Sequence, residues 1–441
     1  MPRHRAHIPL DVRINNRLVG QLIKDRGGAT SFRYAQDWLD WEHGFAVSLS
    51  LPLREPAYSG ASVTAVFENL LPDNPGVRKR VAERTGAEGA DYYSLLERIG
   101  RDCVGAMQFL PEGTIVDALS EIEGDAIDDD AIEALLANLA GTPLGVDRDH
   151  DFRISVAGAQ EKTALLFHEG RWKRPLGTTP TTHILKPQLG AIPTAFGIVD
   201  MQHSVDNEHY CLRLLSAFGL AAATTRIETF GKRRVLVVER FDRQWRENRI
   251  LRLPQEDCCQ ALGVPPAQKY QSGGGPGAAD ILKLLRGADE PLRDQAAVLK
   301  SQLIFWLIGA TDGHAKNFSI FLRPGGRFAL TPFYDVLSAQ AAFDRKQIPN
   351  NKYKLAMSVG TSRKYRILDI AGRHFIETAQ EAGIGVATMK AVLEDILETG
   401  SKAAAIAISQ MPADFHPEIH DSIVKAIDVR LSLLETARAS L

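Results

Sequence analysis

The residues best suited to chemistry in this chain lie between Thr311 and Asn317, a stretch that reads TDGHAKN. They follow Leu303 to Ile308, a run that is apolar on every side, as a helix buried in a large domain would be. Gly309 ends the apolar pattern, and an acid, a glycine, a histidine, a lysine and an amide then crowd into a few positions. Asp312 and Asn317 stand in the D-x-x-x-x-N spacing of protein-kinase catalytic loops. In such loops the acid takes the proton of the attacking hydroxyl and the amide holds magnesium. Arg327 to Leu330 has strand character and leads into Thr331-Pro332-Phe333-Tyr334-Asp335, which puts Asp335 where a second metal-binding acid is needed. Either half alone is a weak signal, because Asp, Gly and Asn also favour caps and turns. In this order the two halves point to phosphoryl transfer.

A phosphotransferase must also neutralise the nucleotide's phosphates. The turn Val156-Ala157-Gly158-Ala159-Gln160 could lie over them, its small side chains letting backbone N–H groups approach; the plainer alternative is an ordinary hairpin. It is neither G-x-x-x-x-G-K-[ST] nor G-x-G-x-x-G. Lys186 ends an apolar strand, where it either faces inward toward an anion or carries its amine out to solvent. Glu208, early in the next helix, could pair with Lys186 or could serve only as a helix-start acid. Glu239 to Asp242 closes the β-rich part, where backbone groups would meet an adenine. Interleaved with Arg240 and Arg243, these acids equally suit surface ion pairs of little energetic weight. His314 could orient the loop, reach a phosphate, or be a satisfied structural histidine. No H-E-x-x-H pair and no G-x-S-x-G elbow occurs.

These residues need elements to position them. At 441 residues the chain exceeds one ordinary core, and two or three domains are expected. With 44% hydrophobic and 24% charged residues its composition is that of a soluble globular protein, and a net charge of -2 offers no global attraction to nucleic acid. Met1 to Arg17 lacks the apolar core of a signal peptide, and no apolar run reaches the length of a membrane span. The cysteines, Cys103, Cys211, Cys258 and Cys259, lack zinc spacing, so a cytoplasmic protein with reduced thiols is expected.

Residues 1–110 are expected to form a small N-terminal α/β module: a hairpin over Pro9 to Leu22 around Asn16, a β-like stretch from Phe45 to Leu51, a helical region from Val63 to Leu96, and a strand near Val104 to Leu110. An acidic helical connector follows at 111–150, its charge run leading into a helix from Ile132 to Leu139. A β-rich nucleotide-binding lobe is expected over 151–253, with strands at Arg153 to Val156, Thr163 to Phe167, His183 to Lys186, Thr225 to Thr229 and Arg234 to Arg240. Its helix, Asp206 to Phe218, stops at Gly219. A mainly helical catalytic lobe is expected over 254–441, interrupted by the Gly273 to Gly277 loop and a basic stretch from Asp344 to Arg366. The expected fold class is therefore α+β and two-lobed.

Beyond these patterns, Ser155-Val156-Ala157-Gly158-Ala159-Gln160-Glu161-Lys162-Thr163-Ala164 resembles the signature of the HipA family, as do Leu253 to Asp257, Trp306 to Phe318 and Leu330 to Asp335. The likeness runs over effectively the whole chain. It implies a protein-kinase-like fold with an added N-terminal module, and a bacterial serine/threonine protein kinase of a toxin–antitoxin pair using ATP and Mg2+. On matching positions it makes Asp312 the base, Asn317 and Asp335 the magnesium ligands, and Lys186 a phosphate contact. It assigns Val156, Ala157, Gly158, Ala159, Gln160 and Lys162 to the nucleotide, Glu239 and Phe241 to the adenine, and Gln255 and His314 to their support. Ser155 would be autophosphorylated, adding roughly two negative charges near the nucleotide's own phosphates and so inactivating the kinase.

The resemblance further implies a HipB-like helix-turn-helix antitoxin, operator DNA reached through that complex, and growth arrest and persistence through phosphorylation of glutamyl-tRNA synthetase. Arg363, Lys364 and Arg366 form the candidate DNA contact, or else a solvated loop. Gln340 to Lys354 departs from the family pattern, being shorter and more basic. Two rival functions fit the same residues: a small-molecule phosphotransferase on this scaffold, and a DNA-bound corepressor whose kinase site is vestigial.

Overall fold

The computed structural model describes residues 7–116, 122–139 and 160–438. The chain divides into two compact units, one made of 1–187, 228–267 and 320–328 and the other of 188–227, 268–319 and 329–441.

The first unit begins with an antiparallel sheet in the order Tyr58–Ser59, Thr30–Tyr34, Arg17–Lys24, Leu10–Ile14, Met107–Pro111. The expected hairpin turns through Asn15 and Asn16, both with positive φ (47° and 68°), the backbone of a tight two-residue turn that asparagine tolerates. Three helices, Ala61–Glu68, Pro75–Thr85 and Tyr92–Ile99, take the place of one helical region. Pro72 and Pro75 break the first from the second, and Asn74 and Asp91 cap the second and third through their side chains. Phe32, Phe67 and Phe109 meet edge-on or tilted in the core. The strand expected over Phe45 to Leu51 is absent: this stretch is a loop. Its apolar alternation comes from lying on the core, with Val47 and Leu51 buried and the Phe45 carbonyl accepting from the Trp38 indole.

A second sheet runs Thr225–Phe230, Arg233–Glu239, His183–Pro187, Thr163–His168, Arg171–Pro175, Gly124–Ala126. The acidic segment thus supplies an edge strand and then the helix Asp129–Ala137, whose N-cap Asp128 accepts from Ala131 N. A hairpin (Arg243–Arg246 with Arg249–Arg252) and Gln255–Asp257 follow, the latter joined to Ser319–Arg323 and Arg327–Leu330.

The second unit is mainly helical. Val386–Ser409 packs on Pro417–Arg438, on Ser204–Ala217 and on Pro291–Ile308, and the hairpins Gly190–Thr194/Gly197–Met201 and Lys354–Val359/Lys364–Arg366 lie in the same unit. Among the described residues no helix is long and apolar enough to cross a membrane. The four cysteines are buried, and no disulfide joins them.

Candidate active site

The helix Pro291–Ile308 is buried over its last three turns, from Val298 to Ile308. Gly309 stops it with φ +69°, where a Cβ would stand 1.9 Å from the Tyr353 hydroxyl. Only glycine fits that position. Arg430, itself buried, donates to the Leu307 carbonyl at 2.7 Å and to Gln340 Oε1 at 2.8 Å, so a cation closes the negative end of the helix.

The loop released there is held by its own atoms. His314 N donates to the Asp312 carbonyl (2.8 Å), Asn317 N donates to the His314 carbonyl (2.9 Å), and Asn317 Nδ2 donates to the Asp312 carbonyl (2.9 Å). The Asp312 carboxylate is exposed, and Asn317 is buried with its amide nitrogen committed, which leaves Oδ1 as the end without a hydrogen bond among the described residues. His314 is 3% exposed with Nδ1 buried and unpartnered among the described residues. Burial pulls its pKa below the usual histidine value, against the opposing pull of the Asp312 and Asp335 charges. At neutral pH it is an uncharged imidazole with a nitrogen to spare.

Asp335 reaches the same place by a different route. Phe333 bridges in parallel to Ala222, and the Tyr334 hydroxyl shares a hydrogen with Ser319 Oγ (2.6 Å) and donates to the Lys316 carbonyl (3.0 Å). The residue before Asp335 is thereby tied to the residue before Asn317. Beyond it, Asn207 brackets Ser338 through both backbone groups, and Ala339 N donates to the Gly309 carbonyl. Asp335 itself has φ +59°, a backbone uncommon outside glycine that the ties on both sides maintain. An amide oxygen and a carboxylate are hard-oxygen donors of the kind that would suit magnesium. No cluster of three or more His, Cys, Asp or Glu side chains suited to a metal occurs among the described residues.

The first unit holds the residues expected at the nucleotide. Lys186 is buried on the strand His183–Pro187, opposite Leu236, and Glu239 is exposed opposite His183. Phe241 is half-buried, edge-on to Phe321 at 5.9 Å. Lys162 is buried, and Gln160 Nε2 donates to the Pro187 carbonyl at 3.3 Å. Gln255 is buried with Oε1 unpartnered among the described residues, an acceptor left over for a ligand. Ser155, Val156, Ala157, Gly158 and Ala159 lie outside the described residues. Glu208 is buried in the helix Ser204–Ala217 of the second unit. Arg363 is exposed, Lys364 half-buried, and Arg366 donates to Asp369 at 2.6 Å, so one charge of that cluster is already matched.

Arg240 and Arg243 are not surface ion pairs. Each is buried in a cluster with Asp102, Asp242 and Arg252, where Asp102 accepts from Arg240 (3.2 Å), Arg243 (2.9 Å), Arg252 (3.0 Å) and both Thr181 donors. Asp102 and Tyr270, whose hydroxyl donates to Asp312 Oδ1 at 2.7 Å, were not legible as partners. The only local sign of Tyr270 is an aromatic residue placed just before a glycine-rich loop.

The HipA-like C-terminal domain model matches residues 154–404, and the HipA N-terminal domain model matches 10–110. The chain belongs to the HipA family of kinase toxins. The protein Y4mE of Sinorhizobium fredii is 34% identical over 401 residues, covering 90% of this chain and 91% of its own. The serine/threonine-protein kinase toxin HipA of Shewanella oneidensis is 29% identical over 367 residues, covering 80% and 78%. A chain of the solved Shewanella oneidensis complex of HipA, HipB and operator DNA superposes with TM-score 0.80 at 24% identity, over 98% of this chain and 99% of that one. That match establishes the α+β, kinase-like HipA fold with its N-terminal module. The D-x-x-x-x-N spacing and Asp335 thus belong to a HipA-family kinase.

Proposed function

We propose that this chain is an Mg-ATP-dependent serine/threonine protein kinase acting in the cytoplasm as the toxin of a toxin–antitoxin pair. The observation that carries the proposal is the Asp312–Asn317 loop, which presents an exposed carboxylate beside an amide whose nitrogen is already committed. Asp312 takes the proton of the acceptor hydroxyl, and Asn317 and Asp335 hold magnesium. The metal ion, when bound, neutralises charge on the transferring phosphoryl group. Lys186, Lys162 and the Val156 to Gln160 segment hold the phosphates, and Glu239 and Phe241 hold the adenine, with Gln255 in support. His314, neutral and buried, donates or accepts at Nδ1 without adding charge.

In this proposal Ser155 receives a phosphate from the chain itself, and its added negative charge repels the nucleotide. The protein substrate is a translation factor such as glutamyl-tRNA synthetase. A HipB-like antitoxin binds the toxin and carries it to operator DNA, where Arg363 and Lys364 are the residues able to meet phosphates. The solved relative, a HipA bound to HipB and operator DNA, supports that part.

Peptide mass spectrometry after incubation with Mg-ATP tests the core of this. Wild type gains a phosphate on Ser155, and Asp312→Asn slows the gain by about a thousandfold. Failure to bind ATP at all would discard the kinase proposal in favour of a corepressor with a vestigial site.

A further inference from the structure

Among the described residues, the hydrogen bond to the Asp312 carboxylate comes from Tyr270, through its hydroxyl to Oδ1 at 2.7 Å. A carboxylate on a short side chain in an exposed loop turns freely about its last torsion. One strong donor on one oxygen stops that rotation and leaves Oδ2 to receive a proton.

The tyrosine is well placed to do this because its own backbone is fixed. Its carbonyl accepts from Gly273 N (3.0 Å) and Gly275 N (3.1 Å), and the next residue, Gln271, accepts through Oε1 from Ser358 N (2.7 Å) and Oγ (3.0 Å). The turn closes tightly enough that a Cβ on Gly275 would lie 1.8 Å from the Gln268 carbonyl. The Tyr270 ring meets His314 edge-on, with centroids 4.9 Å apart, and His314 is itself buried in the catalytic loop. Tyr270 thus touches both the acid and the imidazole of one loop while remaining 39% exposed.

We propose that Tyr270 is a positioning residue for phosphoryl transfer, orienting the Asp312 carboxylate so that Oδ2 faces the acceptor hydroxyl. The inference rests on Asp312 being the base. The probe is the rate of phosphate gain by the full-length chain itself as a function of Mg-ATP concentration. Tyr270→Phe keeps the ring and its contact with His314 and removes only the donor. It lowers the maximal rate about tenfold or more, the loss of one hydrogen bond to a charged group, with the ATP concentration for half-maximal rate and the thermal midpoint unchanged. Added to Asp312→Asn, it has no further effect, because no base is left to orient.

An unchanged maximal rate in Tyr270→Phe overturns the role, and so does a loss that persists undiminished in the Asp312→Asn background. A faster variant overturns it as well, showing instead that the hydroxyl caps the base and must leave before substrate enters. An Asp312→Asn protein as fast as wild type, or a wild type that gains no phosphate, removes the underlying base assignment instead.

Discussion

Around Asp102, in the first unit, three arginines and two aspartates are buried, and none of their buried side-chain nitrogens or oxygens lacks a partner. Around Asp312, in the second, the carboxylate is exposed, the His314 Nδ1 is buried without a partner among the described residues, and Asp335 sits in left-handed backbone. The residue types overlap, yet the two clusters are finished to different degrees. The first has spent its charges on one another: Asp242 accepts from Arg240 twice (3.0 and 2.7 Å) and from Gly105 N (2.7 Å), and Arg252 donates onward to the Thr178 carbonyl. Such a cluster specifies geometry, joining the segment at residues 102–105 to the strand end that carries Glu239 and Phe241. The second keeps capacity in reserve, which is what a site needs if its dipoles are to act on a substrate.

Asp335→Asn tests the reserve. Asparagine accepts positive φ at least as readily as aspartate, so the thermal midpoint stays level or rises slightly. Phosphate gain in Mg-ATP nevertheless falls about a hundredfold or more, through loss of the charge proposed to hold magnesium. Asp102→Asn does the opposite. It leaves three buried guanidinium groups facing one carboxylate, and urea unfolding shows a loss of about 3–5 kcal/mol.

The pH dependence of the first cluster has a definite sign. Three guanidinium groups hold the Asp102 carboxyl well below the usual carboxylate range against the cost of burial, and Asp242 is lowered as well. A depressed carboxylate contributes stability above its unfolded pKa of about 4 and loses it as pH falls through the folded value. Unfolding followed from neutral pH downward therefore shows an acid-induced loss that starts below about pH 4 and shrinks in Asp102→Asn.

Glu256 lies between the two extremes, and its effect is the smallest. Its Oε1 accepts from Leu49 N at 2.8 Å, Oε2 is buried and unpartnered among the described residues, and burial pushes its pKa up to about 8. A raised carboxyl stabilises while protonated, and that contribution fades as pH rises from the unfolded value toward the folded one. Glu256→Gln keeps the acceptor for Leu49 and removes the titration. Its stability relative to wild type improves by roughly 1–2 kcal/mol between about pH 5 and pH 8. A difference that stays flat with pH would mean the Glu256 carboxyl is not charge-frustrated.

Much of the active loop was legible because its parts are close in the chain. The span from Asp312 to Asn317 is short enough that one set of backbone bonds defines it, and Gly309 announces where the helix must stop. The strand Arg327–Leu330 and the helix after Asp128 were readable for the same reason. The loop at Phe45 to Leu51 was misread because alternation records burial on one side, which a loop resting on a core shares with a strand.

What the sequence determined by itself is what covalent neighbours decide: turn chemistry at Asn15 and Asn16, caps at Asn74, Asp91 and Asp128, and the short spacing of Asp312 from Asn317. Tertiary structure alone chose the partners across long separations. Asp102 meets Arg240, Arg243 and Arg252 across 138, 141 and 150 residues, and Tyr270 meets Asp312 across 42. A hydrogen bond acts over about 3 Å, and which distant groups come that close depends on the packing of whole elements. No periodicity within one segment encodes that packing, so Arg240 and Arg243 read as surface charges until the fold buried them together.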